Sequence, residues 1–425
     1  MTNLQQHPIA DGVNIPRRLL LFDLNPTGHH AGYIHHLIRY WHEWNIAGEL
    51  VVVVSPAFMV MHPHVVAHAQ DAPTIHLITI SEAEEANRQS RSRQVLQMQY
   101  EWKLVVQYAR QWQVKQVLLM YFDTFQMAFG LARRIPCPVA GIFFRPVFHY
   151  KDWGHRPASN QEKRREWRKR QIIRLVVRRR SLQTLFCLDP FVVPTLNEWA
   201  GRNMATYLPD PVEMYPTTPA DADVLRNRLG IEPTRRVMLV FGQLDERKGL
   251  FTLIEALKRL TPARQAGRCL LLVGPVDDGI APALDINISV LMAKTNVQVV
   301  RHHSFVAEPD IQPFFTLSDL LVTLYQRHIG MSAVLVRAAA AGRPVLSSDY
   351  SLMGHLVKTK GLGQAVDAEN PVAVADALAT FGQETWPVNT NEMRSFARQN
   401  QANEYARTIF DTLGWQMTAK LWNTE

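Results

Sequence analysis

Short apolar runs alternate with longer stretches whose apolar residues recur at helical spacing. Leu19–Asp23, Val51–Ser55, Ile75–Ile80, Val117–Tyr121, Val139–Phe144 and Gln183–Leu188 read as strands. Segments 32–44, 88–112 and 126–133 read as helices between them. This alternation predicts βα units and a mostly parallel sheet. Residues 206–220 interrupt it with four prolines in fifteen positions and read as a linker. A second series follows: Val237–Phe241, a helix over 249–260, then strands Cys269–Val273, Val297–Val300 and Leu320–Leu324. A helix over 331–341, strand Val345–Ser347 and a helix near 371–381 complete it, and the last forty residues are helical. The expected class is α/β, with doubly wound domains at 1–205 and 221–385 joined by the linker 206–220. Helices in 386–425 are expected to pack back across the domain boundary. Ligands in such sheets bind outside the carboxyl ends of the strands, here in a central cleft.

Composition narrows the class. Ten Trp and eighteen Phe supply enough burial to exclude a disordered chain. Cys137, Cys187 and Cys269 lie far apart, which excludes a disulfide-stapled fold and any Cys-based metal spacing. The polar first sixteen residues lack a signal-peptide apolar region, and no apolar run approaches the roughly 18 residues of a membrane span. The chain therefore reads as cytoplasmic, at most peripheral at the inner membrane face. Its formal charge of +8 is unevenly placed: residues 156–180 alone carry +9, so the remainder sums to −1.

Candidate chemistry is densest in the second series. Phe241-Gly242-Gln243-Leu244-Asp245-Glu246-Arg247-Lys248-Gly249 follows a strand and opens a helix. Gly242 permits close backbone approach, the helix start favours an anion, and Lys248 offers a point charge to a phosphate. A surface loop with solvated charges is the plain alternative. Downstream, Ile329-Gly330-Met331-Ser332 precedes a helix that ends at Ala341-Gly342-Arg343-Pro344 before strand Val345–Ser347. Ser348-Asp349 and Gly361-Leu362-Gly363 follow.

Over about residues 235–380 this order resembles the donor-binding half of GT-B glycosyltransferases, family 4 (group 1) in particular. Those proteins carry a Gly-Arg-Leu-x-x-x-Lys-Gly loop, a Glu-Gly-Phe-Gly loop, Glu-Ala-Met-Ala-x-Gly-x-Pro-Val, a Ser-Asp loop and a later Gly. The resemblance implies two Rossmann-like domains, with a nucleotide-sugar donor held by the second. It implies that Lys248 grips the donor diphosphate and that Gly330, Met331 and Ser332 present backbone N–H groups to it. It also implies a retaining, metal-independent hexosyl transfer, with no cofactor beyond the donor substrate. Asp221-Ala222-Asp223, the only Asp-x-Asp, falls at the linker.

Departures from the pattern are as informative. The family's phosphate-binding arginine is Gln243, and its Glu-x7-Glu pair is Ile329 and Arg337. A further family Glu falls on His355. Arg337 either offsets the missing charge at 243 or is a solvated helix residue. His328 either donates to the sugar or phosphate or is an ordinary loop histidine.

In the first series, Asn25-Pro26-Thr27-Gly28-His29-His30-Ala31-Gly32-Tyr33 resembles the first loop of GT-B enzymes, with Gly28 and Gly32 free to approach the donor phosphate. His29 and His30 sit at the loop tip, and His30 is a catalytic candidate. Asp123 follows the fourth strand, with Phe122 where family members often have His. It either accepts an acceptor proton or caps the next helix. Arg145 ends the next strand and is placed to meet an anionic acceptor.

The basic block reads as a helix capped by Ser159 and Glu162, with Trp167 inside it and Trp153 before it. Arg170, Arg174 and Arg178 share one face. An anionic membrane, a solvated helix and an anionic polymer all fit that charge; no nucleic-acid fold is legible. The expected function is sugar transfer from a nucleotide-diphosphate donor to a glycan or lipid-linked acceptor in polysaccharide biosynthesis. The alternative is an inactive GT-B-fold partner protein in glycan assembly.

Overall fold

The computed structural model describes residues 16–132, 135–149, 159–381 and 386–417. The polar amino terminus, Trp153 and the first three residues of the basic block lie outside the described residues. Seven strands form the first sheet: β1 Arg18–Phe22, β2 Glu49–Val54, β3 Ile75–Thr79, β4 Gln116–Leu119, β5 Val139–Phe143, β6 Leu182–Cys187 and β7 Ala205–Tyr207. Their order is β3-β2-β1-β4-β5-β6-β7. Six strands form the second: β8 Arg236–Phe241, β9 Arg268–Val273, β10 Gln298–His302, β11 Leu320–Thr323, β12 Val345–Ser348 and β13 Gly363–Val366. Their order is β10-β9-β8-β11-β12-β13. The pairing is parallel, with β1 in register against β2 from Arg18↔Glu49 to Phe22↔Val53.

The alternation of side chains explains why these strands read as unbroken apolar runs. In β8, Val237 and Leu239 enter one core cluster while Met238 and Val240 enter the other. Helices must therefore cover both faces of the sheet. The chain divides into two compact units. One holds the described residues up to Ile142, Arg179–Thr184 and the chain from Phe410. The other holds Phe143–Arg178 and Leu185–Ile409.

Phe410 and Trp415, near the end of the described residues, are locked into the first unit by aromatic packing. Trp41 meets Phe410 at 5.5 Å and Trp415 at 5.2 Å between ring centroids. Arg17 lies over the Trp415 ring at 4.2 Å, and the indole donates to Gln116 Oε1 at 3.1 Å.

Two local readings change. The helix expected over 88–112 is two, Glu82–Gln89 and Gln94–Gln111. Ser81 and Glu84 close a capping box that starts the first earlier, and the polar run from Ser90 to Arg93 breaks the pattern. Within 206–220, Thr218 caps the helix Pro219–Arg228 in a box with Asp221. The first carboxylate of Asp221-Ala222-Asp223 is thus a helix cap.

Trp415→Ala is expected to cost about 3–5 kcal/mol. Urea denaturation should show the first unit melting earlier, with Gln116 Oε1 losing its indole donor while its Nε2 keeps Gln183.

Candidate functional site: a cationic phosphate cradle and a separate histidine pocket

In the second unit, the turn after β8 is built around Lys248. The residue is 6% exposed. It donates to Phe241 O at 2.7 Å and Tyr325 Oη at 2.6 Å, and lies 4.2 Å from the Tyr325 ring centroid. Two glycines make room for it. A Cβ on Gly242 (φ +97°) would stand 3.3 Å from Lys248 Nζ, and one on Gly249 (φ +68°) would stand 2.3 Å from Leu324 O. Gln243 is exposed on the same turn.

The loop after β11 faces this cation. His328 Nε2–H donates to Met331 O at 3.5 Å, which leaves Nδ1 to accept from Arg247 Nη1 at 3.3 Å. Burial first, then the cations Arg247, Arg145 and Lys248, push the His328 imidazole down to about 4. Arg145 is thereby drawn to the same loop as Lys248. Gly330 adopts φ +118°, and Phe144 O is the nearest atom to its missing Cβ, at 3.5 Å. Met331 is half-buried, and Ser332 is the N-cap of the helix Ala333–Ala340 without using its hydroxyl as a cap. Next along, Ser351 is buried at φ +65°, and its hydroxyl has no partner among the described residues. Lys248, Arg247 and Arg145 thus put positive charge around the loop that leads into the helix Ala333–Ala340, a cationic cradle suited to an anion.

Arg337 is elsewhere. It is buried, pairs with Glu308 and donates to Glu213 O at 3.3 Å. Its charge is spent there and does not replace the arginine absent at 243. His355 stacks edge-on against Phe191 at 4.4 Å.

In the first unit, the loop after β1 forms a cavity of about 290 Å³ lined by Asp23, Asn25, His30, Arg88, Glu101 and Tyr121, among others. His30 begins the helix His30–Glu43, and its Nδ1 stands 2.6 Å from Asp23 Oδ2. Both groups are buried. Asp23 was not singled out by sequence; its one signal is its position at the end of β1. His29 stacks on His30 at 4.7 Å and stays exposed. Gly28 supplies φ +67°, whereas Gly32 sits in the helix with open space at its Cβ, so no close approach requires it. Asp123 lies in the first turn of the helix Phe122–Leu131. Tyr121 holds the N-cap position, and Asp123 is not among the cavity's lining residues.

Residues 221–403 match the family model for glycosyl transferases, group 1. The match covers less than half of this chain. A D-inositol 3-phosphate glycosyltransferase from Paenarthrobacter aurescens (strain TC1) is 24% identical over 218 residues, 50% of this chain and 49% of the relative. The match thus spans about half the length of that curated relative. Over the whole fold, the chain resembles HepE from Anabaena, solved in complex with UDP and glucose. The TM-score is 0.65 at 17% identity, over 94% of this chain and 99% of the other. It also resembles sucrose-phosphate synthase from Thermosynechococcus elongatus, with TM-score 0.64 and 16% identity over 94% and 98% of the two chains. The fold is GT-B. The matched region contains Gly242, Gln243, Lys248, His328, Gly330, Met331, Ser332 and Arg337, and the Arg337 guanidinium is engaged with Glu308 instead.

The basic helix, Asn160–Val177, lies before the group 1 region and has the expected Ser159–Glu162 capping box. Its expected membrane face is engaged within the protein. Arg170 and Arg174 lie over the Trp199 ring at 5.3 and 5.4 Å, and Arg178 Nε donates to Trp199 O at 3.2 Å. The outward face runs instead through Arg164, Arg168, Gln171 and Leu175 at helical spacing. Leu175 is 67% exposed and neighbouring Trp167 62%. No helix of the described residues is long and apolar enough to cross a membrane.

His328 also makes stability depend on pH. Its imidazole binds a proton near 6.5 unfolded and only near 4 folded. The stabilisation is therefore present above pH 6.5 and lost as pH falls toward 4, by about 3 kcal/mol in all. His328→Gln should flatten the acid limb of a stability–pH curve measured by denaturant titration; an unchanged limb would contradict the assignment.

Proposed function

We propose that this chain is a glycosyltransferase that takes a sugar from a nucleotide-diphosphate donor bound by the second unit. The observation that carries this reading is the buried Lys248 ammonium, with Arg247 and Arg145 close by, beside the Gly330–Ser332 loop. A diphosphate leaving group gains negative charge as the glycosidic bond breaks, and fixed cations and N–H donors stabilise that charge in a water-poor site. The likeness to HepE, solved with UDP-glucose, supports a uridine nucleotide as the first donor to try. His30 and Asp123 remain the candidates for handling the acceptor's proton. Polysaccharide assembly at the cytoplasmic membrane face would bring a lipid-linked glycan to the chain. The outward Arg164, Arg168, Trp167 and Leu175 support that location, since interfacial helices pair cations with Trp and Leu.

The loss of charge at Gln243, and of both motif glutamates at Ile329 and Arg337, favours a second reading. In it the chain is an inactive GT-B-fold partner in glycan assembly.

Calorimetry separates the two. Binding of UDP or GDP to the wild type, weakened about 10- to 100-fold by Lys248→Ala, is expected for the enzyme. A folded protein that binds no nucleoside diphosphate would end the enzyme reading. Replacing Arg164, Arg165 and Arg168 by Gln should lower affinity for phosphatidylserine vesicles roughly 100-fold at low salt. Co-sedimentation insensitive to these changes would remove the membrane from the proposal.

A further inference from the structure

A recess of about 410 Å³ lies within the second unit, where three helices meet the chain that precedes the second sheet. The helices are Glu308–Leu317, Ala333–Ala340 and Thr390–Gln399, and the chain contributes Met214, Tyr215 and Thr217. The recess sits at the carboxyl end of Ala333–Ala340, about 12 Å along that helix from Ser332 and the cradle. Short side chains leave the space open: Ala339, Ala340 and Ala341 line it, with Ala397 on the third helix.

Two features of the lining point to one kind of ligand. Arg394 and Arg398 are four residues apart on Thr390–Gln399 and so share a face of it. Both are exposed, and neither has a partner among the described residues. Other arginines of this unit are paired with carboxylates, as Arg235 is with Glu232, Arg301 with Asp285 and Arg337 with Glu308. No carboxylate is among the residues lining the recess. Two guanidiniums so placed suit a single phosphate, whose several oxygens accept from both.

The second feature is an acceptor. Gln312 lines the recess and is only 6% exposed. Its Nε2 donates to Arg337 O at 3.3 Å, which fixes the amide. Its Oε1 is buried and has no partner among the described residues. A buried carbonyl oxygen calls for a donor, and a hydroxyl supplies one. The carboxyl end of Ala333–Ala340 carries partial negative charge, so that side of the recess also favours a donor over an anion. Cations at one end and acceptors at the other select a two-ended molecule. An apolar phosphate ester would leave Gln312 Oε1 without a donor.

We propose that this recess is a binding site for a hexose phosphate. The phosphate lies on Arg394 and Arg398, the ring covers the alanines beside Tyr215, and a ring hydroxyl donates to Gln312 Oε1. The volume is within the range of small-molecule sites. The site is separate from the cradle and does not rest on the sugar-transfer reading.

Calorimetry on the full chain tests it, with glucose 6-phosphate, glucose 1-phosphate and fructose 6-phosphate as probes. At least one should bind with Kd on the order of 10⁻⁴ M. Glucose and inorganic phosphate, the two halves, should each bind at least tenfold more weakly. Replacing Arg394 and Arg398 together by Gln should weaken hexose phosphate binding about 100-fold. Gln312→Leu should weaken it about tenfold and leave inorganic phosphate unaffected. If Gln312→Leu does not fold, Gln312→Met, closer in shape, replaces it. Lys248→Ala should leave the affinity within threefold, because the cradle is a different site. Failure of all three probes to bind overturns the proposal. So does inorganic phosphate binding as tightly as the best of them. Affinity held within threefold when both arginines are replaced, or weakened more than threefold in folded Lys248→Ala, overturns it as well. UDP affinity of the arginine variant reports the donor reading separately, and is expected to equal that of the wild type.

Discussion

A buried ammonium without a paired carboxylate sets the terms of the second unit. Taking such a group out of water costs several kcal/mol unless dipoles replace the hydration. Lys248 meets this cost with a carbonyl, a phenol and the face of a ring. The glycines at 242 and 249 follow from that choice, since side chains there would collide with the ammonium or with the Leu324 backbone. Burial, with the fields of Arg247, Arg145 and Lys248 added to it, keeps His328 neutral well below its ordinary range. A neutral His328 then adds hydrogen bonds to the loop without adding further repulsion. An incoming diphosphate would meet cations already fixed in place, so little reorganisation opposes its binding.

The first unit uses the opposite device. Its cavity keeps its acid and base in hydrogen-bonded pairs, with His30 on Asp23 and Glu101 on Arg88. Burial raises Glu101, and the nearby Asp23 charge adds to the rise while Arg88 opposes it. Such a site is suited to moving a proton rather than holding a phosphate. The second unit thus presents fixed cations, and the first presents paired acids and bases.

That division explains which parts were legible in the sequence. The cationic cradle is written in contiguous loops, where Gly242, Lys248, Gly249 and Gly330 are local requirements of turn geometry and charge. The dyad is spatial: Asp23 looks like the polar end of a strand, and only the fold of the Asn25–Gly28 turn brings its oxygen to His30. Arg337 misled for a related reason. Its role was read from its place in the motif, but a buried guanidinium seeks a carboxylate, and Glu308, 29 residues away in sequence, provides one. The strand series was legible because both faces of each sheet are covered. The break at residues 90–93 was not, because it depends on the capping of a short polar helix with little periodicity.

The basic helix shows how charge counted by sequence differs from charge available to a partner. Arg170, Arg174 and Arg178 spend their guanidinium groups on Trp199, so that stripe seats the helix. The cations left over, Arg164, Arg165 and Arg168, have no partners among the described residues and stand beside exposed Trp167 and Leu175. A polyanion in water is bound chiefly by charge, and its site gains nothing from an exposed leucine. A lipid interface gains from both, because the apolar side chains enter the headgroup region while the cations remain at phosphate level. The outward face therefore pairs cations with apolar side chains, through residues other than the three that the helical repeat first singled out.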